Sequence, residues 1–236
     1  MERLRQLLHE KRLIFAGISI ALAVILFNNW VMALVFNGHL FGRGGSVSEL
    51  SVRGQPHALF FQYLDLLSAV FFIFYGILIS KFMDLKSAAG KILTYGVVIF
   101  GIANVADALF VLPCAQTVDK NCLVPVSINL HHFQMPNHGY SSIILALLYF
   151  LLPAAGIYYS RKKSRSALFV TSLIAVAVAL GAFASSIWQY VSIKGFTTDA
   201  SGVGQGFQML VLAAWFLGWY AFIWRQQQAA ARKKPA

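Results

Sequence analysis

Six apolar stretches follow one another between Leu13 and Trp224, with short basic clusters at the two ends and at alternate connections between them. Each is long enough to cross a bilayer. Lipid offers the backbone no hydrogen-bond partners, so an open stretch of this kind must be helical. The stretches, 13–36, 60–80, 92–112, 141–160, 167–190 and 207–224, predict an all-α polytopic membrane protein with six transmembrane helices in one domain, 1–224, and a basic, disordered cytoplasmic tail, 225–236.

Composition agrees. Apolar residues make up 58% of the chain and charged residues 11%, whereas soluble domains carry about a quarter charged residues. A formal charge of +11 raises the question of nucleic acid, but the basic residues flank apolar spans and form no stripe, which excludes that partner. Of the nineteen Lys and Arg, only Arg43, Arg53, Lys120 and Lys194 fall in the three loops on the opposite side from the clusters. The positive-inside rule therefore places both termini in the cytoplasm. The first stretch, about 24 residues, exceeds the core of a secretion signal and is expected to stay as an anchor. Tyr63, Tyr140, Trp188 and Tyr190 are expected at the outer interface, and Tyr158, Tyr159, Trp219, Tyr220 and Trp224 at the inner one.

Two outer loops are long. In the first, Ser46 and Glu49 have the spacing of a capping box for a short surface helix. The second, 113–140, holds Cys114, Cys122, His131, His132, His138 and Asp119. An oxidising outer location makes Cys114 and Cys122 a disulfide pair.

Polar residues within the spans crowd toward the outer leaflet: Asn28, Asn29, Gln62, Asp65, Ser68, Asn104, Asp107, Ser141, Ser142, Ser185, Ser186, Gln189 and Gln208. The inner halves, such as 69–79, 143–152 and 168–180, carry almost none. Such groups must meet one another or water, so the expectation is a cup open outward over an apolar plug, with Asp65, Asn104, Ser141, Gln189 and Gln208 as ligand-pocket residues. Asp65 and Asp107 both lie about 7 Å deep at 1.5 Å per residue, and can face each other. Asp65 is near a helix N-terminus, which favours an anion; Asp107 is near a C-terminus, which opposes one and calls for a partner. His138 shares a helical face with Ser141 and Ser142. His131, His132, His138 and Asp107 are the residue types of a zinc site, although their spacing matches no standard signature. No Walker loop or dinucleotide fingerprint is present.

The order of landmarks resembles a bacterial six-span family, domain-of-unknown-function family 998. The matching residues are Ser48, Glu49 and Leu50 after the first span, Pro113 and Cys114 closing the third, His138 opening the fourth, and Gly204, Gln205 and Gly206 leading into the sixth. The resemblance implies a fold and a bacterial inner-membrane location, without a reaction. The chain is more faintly similar to the membrane hydrolases that include alkaline ceramidases, a likeness that would give Ser68, Asp107 and His138 catalytic, zinc-associated roles.

Three functions follow. One is a pocket for a lipid, an amphiphile or an envelope partner, in a protein surrounded by membrane lipids and open to homo-oligomerisation. Another is an outward-facing, zinc-assisted lipid hydrolase. The third, a proton-coupled transporter, needs polar groups reachable from both sides, and the apolar inner halves speak against it.

Overall fold

A computed structural model of the chain describes residues 2–37, 46–115, 136–161, 167–193 and 201–232, with side chains except at 2–6, 136, 137, 139, 167, 183–193 and 201–203. The described residues hold helices and no strand: α1 (Glu2–Phe27), α2 (Trp30–Phe36), α3 (Ala58–Ile79), α4 (Ala88–Leu109), α5 (Pro136–Ser160), α6 (Ala167–Ile193) and α7 (Ser201–Arg232). Short 3-10 helices occupy Val47–Ser51 and Ser80–Phe82.

Five helical stretches are long and apolar enough to cross a membrane: Leu7–Phe36, Ala58–Phe82, Ala88–Leu109, Tyr140–Ser160 and Gly204–Arg232. Within α6 the apolar stretch Leu168–Ala182 is shorter. Large apolar side chains such as Ile25, Phe74, Ile102 and Leu147 point outward from these helices, as expected where the surrounding solvent is lipid.

Each long helix packs on its neighbour in sequence, and α7 returns to α1, so the ring closes. Short connections dictate this order between α3 and α4 and between α5 and α6. Ser87 caps α4 by accepting from the Gly90 amide at 3.1 Å, and that tight turn lays α4 antiparallel along α3. Close helix approach depends on small residues. A Cβ at Gly101 would meet the Ala69 carbonyl oxygen of α3 at 2.8 Å, and one at Gly96 would meet Leu152 of α5 at 2.8 Å.

Inside the ring, Phe27, Phe72, Phe100 and Phe216 come from four different helices, with centroids 5.0–5.7 Å apart. Beyond them Trp215 stacks on Trp219 at 5.5 Å and Tyr75 meets Trp219 edge-on. These seven rings are at most 5% exposed.

The structure departs from the sequence-based expectations in five places. The first span is not one helix, because α1 stops at Phe27 and α2 begins at Trp30. Val31 and Met32 bond three residues back, to Asn28 and Asn29, and the Asn28 side chain bonds the Val24 carbonyl, competing with the helical ladder. The capping box does not form: Ser46 makes no side-chain cap, and Glu49 is 2% exposed with Oε2 unpartnered, so the element is buried. Trp219 is fully buried and not at an interface, because it faces the ring interior. The half of the bundle expected to form the apolar plug is also less apolar than expected. Thr94, Ser172 and Tyr75 are buried there, with Trp215 donating to Ser172 at 2.8 Å. Finally, α7 continues past the expected boundary at Trp224 to Arg232, since Gln226–Ala231 are good helix formers uninterrupted by Gly or Pro.

Candidate functional site

The helix break at Asn28 and Asn29 sets the first element of the site. Asn29, 3% exposed, donates through Nδ2 to Oδ1 of Asp65 on α3. Asp107 stands in the last turn of α4, where the helix dipole opposes a carboxylate. The first turns of α5 supply what it lacks. Ser141 and Ser142 place their hydroxyls 2.8 and 3.0 Å from Oδ1 of Asp107, and His138 Nδ1 lies 3.3 Å from the same oxygen. The His138 contact is within ion-pair range but outside hydrogen-bond geometry, leaving Nδ1 without a hydrogen-bond partner. Residues 138, 141 and 142 share a face because they are three and four apart on one helix.

Asp65 and Asp107 line one cavity of about 170 Å³, together with Asn104, Ser142, Gln205 and Gln208. Phe27 and Tyr149 form apolar wall, and Val47, Ser48 and Ser51 of the 3-10 helix lie across it. That helix is held by the Val47 amide, which donates to Gln205 Oε1 of α7 at 3.0 Å. The aromatic cluster around Phe72, Phe100 and Phe216 packs against Phe27 and closes the bundle beneath. A second, larger depression of about 590 Å³ runs along Arg53, His57 and Gln62 beside Leu59, Phe60 and Leu109. No acid lines it.

A family described as "Protein of unknown function (DUF998)" matches residues 15–221. The chain belongs to this family. No curated protein and no solved structure matches it, so the likeness to alkaline ceramidases has no counterpart among them.

In this DUF998 member the structure brings together some of the residues singled out in the sequence and separates others. Asp65, Asn104, Asp107 and Gln208 share the cavity, and His138 and Ser141 stand directly behind Asp107. Ser68 does not join them. Its hydroxyl is 1% exposed and donates to the Ala23 carbonyl at 2.8 Å, tying α3 to α1. Gln189 lies where side chains are not described, and His131, His132 and Cys122 lie outside the described residues. The zinc set and the Cys114–Cys122 pair therefore rest partly on undescribed residues. Cys114 is not a free thiol. Among the described residues no three His, Cys, Asp or Glu side chains gather as metal ligands.

The sequence reading missed Gln205, Tyr149 and the serines of the 3-10 helix as cavity residues. Gln205 carried a signal, since it lies in the Gly204–Gly206 run that brings α7 into the bundle. Gly206 packs against the Trp30 ring.

Proposed function

We propose that this DUF998 member is a six-span protein of the bacterial inner membrane, with both termini cytoplasmic, whose cavity opens outward and binds the polar part of a lipid or amphiphile. The observation that carries the reading is that Asp65 and Asp107, from adjacent helices, line one cavity above a packed aromatic layer. Ionisable groups at membrane depth are by default functional. The orientation rests on charge: Lys81 and Lys86 in the α3–α4 connection, and Arg161 after α5, lie at the end of the ring away from the two acids. A Cys114–Cys122 disulfide on the outer side belongs to the same reading.

Its test is the accessibility of Gln208→Cys to a membrane-impermeant thiol reagent added to intact cells, with the natural chain as control. Labelling from outside is expected. Labelling only after the cytoplasmic face is opened, or none, would reverse the orientation or remove the cavity.

The zinc-assisted hydrolase is kept as a second reading because Asp107 and His138 adjoin with Nδ1 uncommitted. In that reading His131 or His132 completes the shell. Elemental analysis of the purified chain, with Asp107→Ala and His138→Ala as controls, decides it. Absence of stoichiometric zinc from the natural chain sinks the hydrolase. Transport is disfavoured by the seven packed rings beneath the cavity, which offer no wet passage.

A further inference from the structure

Resting on the reading that this cavity is open to the outside, we propose that it is selective for a small organic cation, the ammonium head of an amine-bearing ligand. Among the described residues its lining carries two carboxylates and no Lys or Arg. The one neighbouring base, His138, addresses Asp107 alone, and Asp65 is bonded by the neutral amide of Asn29. Asp65 is thus left without a cationic partner among the described residues. A carboxylate away from bulk water needs such a partner, or else a proton.

The donors around the cavity point the same way, because several are already committed and the rest are neutral. The Asn104 amide nitrogen donates to the Phe100 carbonyl at 2.8 Å, which leaves its Oδ1 as an acceptor. The Ser142 hydroxyl is committed to Asp107 Oδ1, as is the Asn29 amide to Asp65 Oδ1. Among the described residues nothing donates to the Oδ2 of either acid. The other donors that line it, the Ser48 and Tyr149 hydroxyls and the Gln205 and Gln208 amide nitrogens, are neutral, so none supplies the positive charge a carboxylate lacks. An anionic ligand would meet repulsion there, and a neutral one would leave the carboxylate without a compensating charge.

Two further features favour an organic cation over a metal. Phe27 and Tyr149 are part of the wall, and an ammonium group gains from an aromatic face. No set of three metal-ligating side chains forms among the described residues. The volume of about 170 Å³ is below that of sites holding drug-sized ligands. It fits a head group whose chain, if any, lies outside.

The experiment measures how far small probes slow the outside labelling of Gln208→Cys in the full-length chain. Ethanolamine, protonated at neutral pH, and choline are compared with 3,3-dimethylbutanol, the neutral isostere of choline, and with inorganic phosphate. Protection by the two cations is expected at concentrations about tenfold or more below any effect of the alcohol, a difference that one ion pair supplies. Asp65→Asn keeps size and hydrogen bonding and should raise the protecting concentration by about tenfold; Asp65→Glu should restore part of it. Equal protection by the alcohol, protection by phosphate, or cation protection indifferent to both Asp65→Asn and Asp107→Asn overturns the proposal. Labelling that no probe slows also overturns it while leaving the outward cavity intact. Absence of labelling removes the cavity reading itself.

Discussion

Around Asp107 two hydroxyls and an imidazole nitrogen converge within 3.3 Å of one carboxylate oxygen. Roughly 20 Å further along α4, at 1.5 Å per residue, Thr94 Oγ1 is buried with no hydrogen-bond partner, as are Tyr75 Oη and Trp219 Nε1 in the same half of the ring. The two regions are built from the same helices, yet one is organised by polar pairing and the other by ring packing. The difference follows from what each group costs to bury. An unpaired carboxylate in apolar surroundings is far more expensive than an unpaired hydroxyl or indole N–H. The acids therefore recruit donors from the break between α1 and α2 and from α5, whereas Tyr75 and Trp219 are kept by the area and geometry of their rings. Interhelical hydrogen bonds in membranes contribute about 0.6 kcal/mol each, and removing a large buried side chain costs several times that. Stability is thus concentrated in the aromatic half, and the proposed recognition would fall in the polar half.

This contrast can be broken most directly in the aromatic half. Phe100→Ala removes a fully buried ring that touches Phe27, Phe72, Tyr149 and Phe216, and should cost about 3–5 kcal/mol. Denaturant unfolding of the purified chain in micelles measures it, and a loss no larger than that of a single hydrogen bond would dissolve the distinction. Gly101→Ala places a methyl against the Ala69 carbonyl of α3. Because backbone yields poorly, a destabilisation of about 1–3 kcal/mol is expected in the same assay.

At the polar end, Asp107→Ala removes the shared acceptor of the Ser141 and Ser142 hydroxyls and the ion-pair contact of His138. It should cost about 1–3 kcal/mol, with Asp107→Asn costing less because an oxygen remains. Equal losses for the two variants would mean that the charge, and not the hydrogen bonding, organises this end. Ser68→Ala should have the smallest effect, about 0.6 kcal/mol for the bond to Ala23, with the labelling rate of Gln208→Cys unchanged. A clear change in that rate would return Ser68 to the cavity.

The sequence made several of these elements legible. Asp107 near a helix C-terminus demanded compensation, and His138, Ser141 and Ser142 were spaced to provide it. Ser68 shows where such reasoning stops. It lies one turn from Asp65, also toward the same end of the bundle, but a helix rotates about 100° per residue, and the residue's direction depends on how α3 leans on α1. Asn28 and Asn29 show a second limit. Their side chains are able to compete with the helical ladder, but whether they break it depends on Asp65 and Trp30 being there to receive them. Gln205 was visible only as part of a glycine run, since its role depends on meeting Val47, which is distant in sequence.

Length, hydropathy and the placement of basic clusters are local properties. From them alone the chain is bound to be a bundle of apolar helices, because lipid satisfies no exposed backbone and each span must answer that demand within itself. Which polar side chains look into a common space is not local. The packing of α1, α3, α4, α5 and α7 around Phe27, Phe72, Phe100 and Phe216 fixes the rotation of each helix. That rotation put Asp65 beside Asp107 and turned Ser68 away.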